Sequence, residues 1–148
     1  MTLEPPLRAA SLFRRLASGL YELLILVALV FIATLPFSYL FGEAIHGWKR
    51  HLLQGYVVLV MAAYFTWFWT RSGQTLPMKT WRFRVVRADG APLSLSRALH
   101  RFVLAVLGFL ALGLGFLWAL VDRDRQFLHD RLAGTALVEA PVPVRGIA

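Results

Sequence analysis

Residues 14–35, RRLASGLYELLILVALVFIATL, open on two arginines and continue as nearly unbroken hydrocarbon. Glu22 is the one charged group in residues 16–35. About twenty apolar residues at 1.5 Å rise cover the roughly 30 Å of a bilayer's hydrocarbon core. Lipid offers no hydrogen-bond partner to an open backbone, so such a segment must be helical. This stretch therefore predicts a membrane-spanning helix. The run is too long for the apolar part of a signal peptide and contains Glu22, so an uncleaved first span is expected. Pro36 is expected to end that helix or bend its last turn.

Two further apolar runs, residues 52–70 and 102–121, contain no charged residue. Together the three runs predict an all-α membrane protein of about three transmembrane helices. The composition agrees. Of 148 residues, 58% are hydrophobic and only 16% charged, more apolar than a soluble domain of this size can bury. The formal net charge of +8 calls for an anionic partner. With this hydropathy that partner is anionic lipid headgroups; no nucleic-acid-binding signature is present. The chain has no cysteine, which excludes disulfides and thiolate metal sites.

Basic residues between the runs set the expected orientation. Residues 71–101 carry Arg71, Lys79, Arg82, Arg84, Arg87, Arg97 and Arg101 against Asp89 alone. Arg8, Arg14 and Arg15 precede the first run, and only Lys49 and Arg50 lie between the first two. The N-terminus and the long loop are thus expected on the cytoplasmic side of the membrane. Three full crossings would place the tail outside. Gly113 and Gly115 in "GLG" offer the alternative, a break that makes the third run re-entrant. In the tail, Asp122, Asp124, Asp130 and Glu139 balance Arg123, Arg125, Arg131 and Arg145, so charge does not choose.

Within the long loop, WRFRVVR alternates Trp81, Phe83 and Val85 with Arg82 and Arg84, a strand period. Asp89-Gly90 is a turn signal, and Ser94 or Ser96 can cap the next helix. A cytoplasmic strand or hairpin is expected; a surface helix is the rival. TALVEA can supply a partner strand if the tail is cytoplasmic. Arg82 and Arg84 are expected to contact lipid headgroups. So are Arg97 and Arg101, four apart on one helix face. YFTWFW, residues 64–69, reads as an interfacial aromatic belt.

Three pieces in this order, the opening stretch, RSGQTLPMKTWRFRVVRADGAPLSLSRALHRF and GFLWALVDRDRQFLHDRLAGTALV, resemble the RDD family of small bacterial membrane proteins. The resemblance runs from about residue 12 to 138. It implies an N-terminal arm over residues 1–11, a membrane domain over 12–139 and a tail over 140–148. The family's arginine matches Arg15 and its second aspartate Asp130. Its first aspartate is replaced by Glu22, and Pro77 stands where GQTLG would be usual. The resemblance implies transport of an unidentified ligand, an ion among the candidates.

Glu22 is then the residue to explain. A charged side chain at the bilayer centre costs at least ~2.5–3.5 kcal/mol, and somewhat less at this shallower depth. Arg15, Ser18 and Glu22 share one helix face, with Gly19 beside it permitting close approach. That stripe must face a helix, a partner subunit or a water-filled cleft. Two readings stay open. In one, a homo-oligomer has the stripe at its seam, and Glu22 is a proton or cation site tuned by Arg15 and Asp130. In the other, these residues hold together a scaffold that binds lipid or a partner protein. Asp130 can also cap a helix starting at Arg131, or pair with a loop arginine. Asp122 and Asp124 read as interfacial charges beside Arg123 and Arg125. There is no serine elbow, HExxH motif or phosphate-cradling loop, so neither an enzyme nor a cofactor is expected. His46, His51, His100 and His129 are scattered.

Overall fold

A computed structural model describes residues 8–43 and 46–140. Of the terminal arm and tail, residues 1–7 and 141–148 lie outside the described residues. Helix α1 spans Leu12–Phe41 and α2 spans Trp48–Arg71. These two are long and apolar enough to cross a membrane. Ser11 starts α1 by accepting the Arg14 N–H at 3.4 Å. Pro36 does not end the helix, which continues to Phe41. Outward-facing Leu20, Leu24, Val27, Phe31 and Ile32 give α1 an apolar exterior suited to lipid. Phe37 stacks on Tyr56 where the two helices pack.

The remaining elements gather at the opposite end of this hairpin, where α1 starts and α2 finishes. The short helix α3, Leu76–Thr80, leads into strand β1, Phe83–Arg87. Phe83 and Val85 are buried while Arg82 and Arg84 are exposed, as the alternation predicts. Asp89-Gly90 makes the turn, with the Gly90 N–H donating to the Arg87 carbonyl at 2.8 Å. Ser94 caps α4, Leu95–Leu110.

The third apolar run is not one straight helix. It breaks at residues 111–113, and the short α5, Leu114–Leu117, and a following 3-10 turn, Trp118–Leu120, depart at 104° from α4. Gly113 takes the left-handed conformation there. The bend folds backbone onto backbone: a Cβ at Gly115 would sit 2.9 Å from the Gly108 Cα. Helix α6, Leu128–Ala133, then leads to β2, Thr135–Glu139.

β2 pairs antiparallel with β1, Val85 opposite Leu137, and Ala9 bridges to Val138 on its other edge. The loop strand thus forms no hairpin of its own; its partner is TALVE from the tail. The sheet joins the segment before α1, the loop after α2 and the tail. All three therefore meet at one end of the hairpin, and the third run begins and ends there. Of the two courses left open for that run, a full crossing and a re-entrant dip, this placement favours the dip. Beneath the sheet lies the core: Trp69, Phe83, Val85, Leu93, Phe102, Phe127 and Leu137.

The absence of cysteine makes this topology directly testable. Single cysteines at Arg84 and Leu132 should react with a membrane-impermeant maleimide from the same side, and one at Glu43 from the other. Leu132 labelling together with Glu43 would contradict the sheet.

Candidate functional site

Glu22 sits three turns into α1, half-buried, between α2 and the start of α3. Two hydroxyls meet its carboxylate. Tyr64 of α2 donates to Oε1 at 2.8 Å, and Thr75 donates to Oε2 at 2.6 Å. Thr75 occupies the N-cap of α3, where a threonine hydroxyl ordinarily accepts a backbone N–H. Here it makes no such cap bond and is spent on Glu22 instead. Its side chain is wholly buried.

The GQTL segment builds this placement. Gly73 has φ 68°, and a Cβ there would lie 2.8 Å from the Val85 carbonyl. The tight turn lets the Val85 N–H donate to the Gly73 carbonyl at 2.8 Å. Gln74 donates to the Phe83 carbonyl at 2.8 Å. Pro77, in the first turn of α3, needs no N–H there and supplies a helical φ, so this departure from the family pattern fits its position.

Arg15 and Ser18 turn inward and are buried by the chain's own elements. That corrects the placement of this stripe at a seam between subunits. Arg15 makes no ion pair among the described residues. Its Nε donates to the Ala10 carbonyl at 2.7 Å and Nη1 to the Arg125 carbonyl at 2.6 Å. It thus ties the start of α1 to the loop before α6.

Asp130 lies inside α6 and is 1% exposed, so it does not cap a helix beginning at Arg131. Its Oδ1 accepts from Arg101 Nε at 2.7 Å, with Arg101 Nη2 also at 2.7 Å. Thr135 donates to the same oxygen at 3.2 Å. Arg101 is buried, its guanidinium 4.2 Å above the Trp69 ring. This corrects the expectation that Arg101 reaches headgroups. Arg82, Arg84 and Arg97 do remain exposed. Asp122 pairs with Arg131 rather than with Arg123 or Arg125.

The three residues singled out in the sequence therefore occupy separate bonding environments at one end of the molecule. Glu22 has hydroxyl partners, Arg15 backbone carbonyls and Asp130 a buried arginine. Sequence reasoning missed Tyr64 and Thr75 as partners; the pairing of Asp130 with a loop arginine was one of its alternatives, and that arginine is Arg101. Thr75 lies in the GQTL segment, one of the stretches that carry the family resemblance. The signal at Tyr64 was masked because YFTWFW read as a uniform belt. In fact Trp67 is exposed beneath Arg71, whereas Trp69 is buried. No group of three or more metal-ligating His, Cys, Asp or Glu side chains occurs among the described residues.

Among curated proteins, the chain is similar to uncharacterized protein RP437 of Rickettsia prowazekii (strain Madrid E). The two are 31% identical over 84 residues, 56% of this chain and 46% of the relative. The match thus spans about half the length of that relative. No solved structure matches the chain. The RDD family model matches residues 9–134, which include Arg15, Glu22, Thr75, Arg101 and Asp130. The helical hairpin, the small sheet and the residues bonded at its end are those of a chain that belongs to the RDD family.

Proposed function

We propose that this protein is a small transporter-like protein of the bacterial inner membrane, in which Glu22 takes up and releases a proton or a cation. The observation that supports this most is the company Glu22 keeps. Its two oxygens accept from neutral hydroxyls of Tyr64 and Thr75, and no cationic side chain pairs with it among the described residues. Both hydroxyls have lone pairs, so the carboxylate, Tyr64 and Thr75 form an oxygen-donor set of the kind that suits a hard cation. Arg15 and Arg101, which would otherwise neutralise the carboxylate, are bonded elsewhere. In this reading the basic loop and N-terminus face the cytoplasm. A unit of two long helices encloses no pathway, so transport requires a homo-oligomer. The protein is read as non-enzymatic.

A scaffold that binds lipid or a partner through its basic loop is the second reading. It is favoured by the number of buried polar bonds that join elements, Arg101–Asp130 above all.

Ion flux in proteoliposomes tests the first reading. Under an imposed pH, sodium or potassium gradient, wild-type protein should pass one of these ions. Glu22→Gln keeps the side chain's size but removes its charge, and should cut that flux at least tenfold with thermal stability unchanged. Flux that survives in a well-folded variant contradicts the proposal. No wild-type flux, with loss of assembly in the variant, supports the scaffold.

A further inference from the structure

A second polar feature lies on the sheet side of α1, apart from Glu22. A cleft of about 570 Å³ opens between the start of α1, the end of β1, the middle of β2 and the loop before α6. Arg15, Arg87, Arg123 and Arg125 line it against Asp124 alone. The acid is drawn off: Asp124 Oδ2 leans toward Arg131 at 3.8 Å. Arg123 and Arg125 are exposed and make no ion pair among the described residues. Arg87 is partly neutralised by Asp89 at 2.8 Å, yet its Nε is buried with no hydrogen-bond partner among the described residues.

Arg15 forms the inner wall. It is 5% exposed, and two of its three nitrogens are committed to the Ala10 and Arg125 carbonyls. Nη2 has no hydrogen bond among the described residues. Arg125 is held at φ 51°, a conformation that costs a non-glycine residue on the order of 1 kcal/mol, and its carbonyl is the one Arg15 grips. The loop is thus fastened in a shape that sets Arg123 and Arg125 around the cleft mouth.

Guanidiniums gathered around one concavity repel one another, and the group that relieves this is a compact oxyanion. Arginine forks match phosphate oxygens in pairs, with charge-assisted bonds about twice as strong as neutral ones. The cleft lies at the start of α1, an end of a helix long and apolar enough to span, and headgroups collect at the ends of such helices. We propose that it binds a phosphate group, supplied either by a phospholipid headgroup or by a free phosphate.

The test is a calorimetric titration of purified full-length protein in non-ionic detergent. One arm uses inorganic phosphate and the other dioctanoyl phosphatidylglycerol, each against a chloride blank. Saturable heat with phosphate and lipid alike is the expected result for a site that recognises the phosphate itself. Heat with the lipid alone supports the proposal with a headgroup as the source. The paired variant Arg123→Gln/Arg125→Gln changes exposed side chains and should fold normally. It should weaken binding at least tenfold. Lys49→Gln/Arg50→Gln, in the first turn of α2 and outside the cleft lining, should leave binding unchanged. No saturable binding in either arm overturns the proposal. So does equal weakening by both paired variants, or no weakening by Arg123→Gln/Arg125→Gln.

Discussion

Asp130→Ala should destabilise the folded protein by about 3–5 kcal/mol, the largest single loss expected in this chain. Asp130 and Arg101 have side chains 1% and 4% exposed, and both bonding nitrogens of Arg101 converge on one carboxylate oxygen. Removing the acid strands a guanidinium in a site where water cannot replace it. The Trp69 face, 4.2 Å away, returns only a fraction of the lost energy. The bond joins α4 to α6, so its loss should also free the tail strand. Thermal unfolding in detergent would register a fall in Tm on the order of 10 °C. The paired change Arg101→Met/Asp130→Leu should recover most of that loss, because no charge is then left buried. If Asp130→Ala unfolds with the wild type, the ion pair does not hold α6 in place.

Acidification should weaken the same corner of the molecule through His129. This side chain is 4% exposed and packs between Phe116 and Phe127, with ring centroids at 5.1 and 5.5 Å. Its Nδ1 has no partner among the described residues. Burial pushes the imidazole down to about 4; Asp130 opposes that shift and Arg101 reinforces it. An unfolded histidine titrates near 6.5. Between these two values the unfolded chain holds the extra proton, so stability falls as pH falls. The contribution is fully present above about pH 6.5 and is lost by about pH 4. A shift of that size corresponds to about 3 kcal/mol. Unfolding measured across this window should show a slope in the wild type that His129→Phe largely removes. Equal slopes in the two proteins would assign the titration to another group.

The polar network was legible in the sequence as residues but not as bonds. Glu22 stood out because a carboxylate within a span demands a partner, and Arg15 and Ser18 because they share its face. The partners themselves lie 42 and 53 residues away for Glu22 and 29 for Asp130. Separations of that kind have no periodicity to reveal them. Arg97 and Arg101 illustrate the limit. Helical spacing places them on one face, and one turn decides their fates. Asp130 of α6 covers Arg101, while Arg97 stays exposed.

Sequence alone determined the membrane class, the two long helices, the alternating strand with its turn and the serine cap on α4. Each of these depends on hydropathy, on local periodicity or on a cap three residues away, and all are short-range physics. Only the tertiary structure decided the course of the third apolar run. A straight helix and a bent pair present the same apolar residues to lipid, so composition cannot distinguish them. The Gly108–Gly115 backbone contact and the pairing of β1 with β2 do, because they join segments that meet only once the chain has folded back.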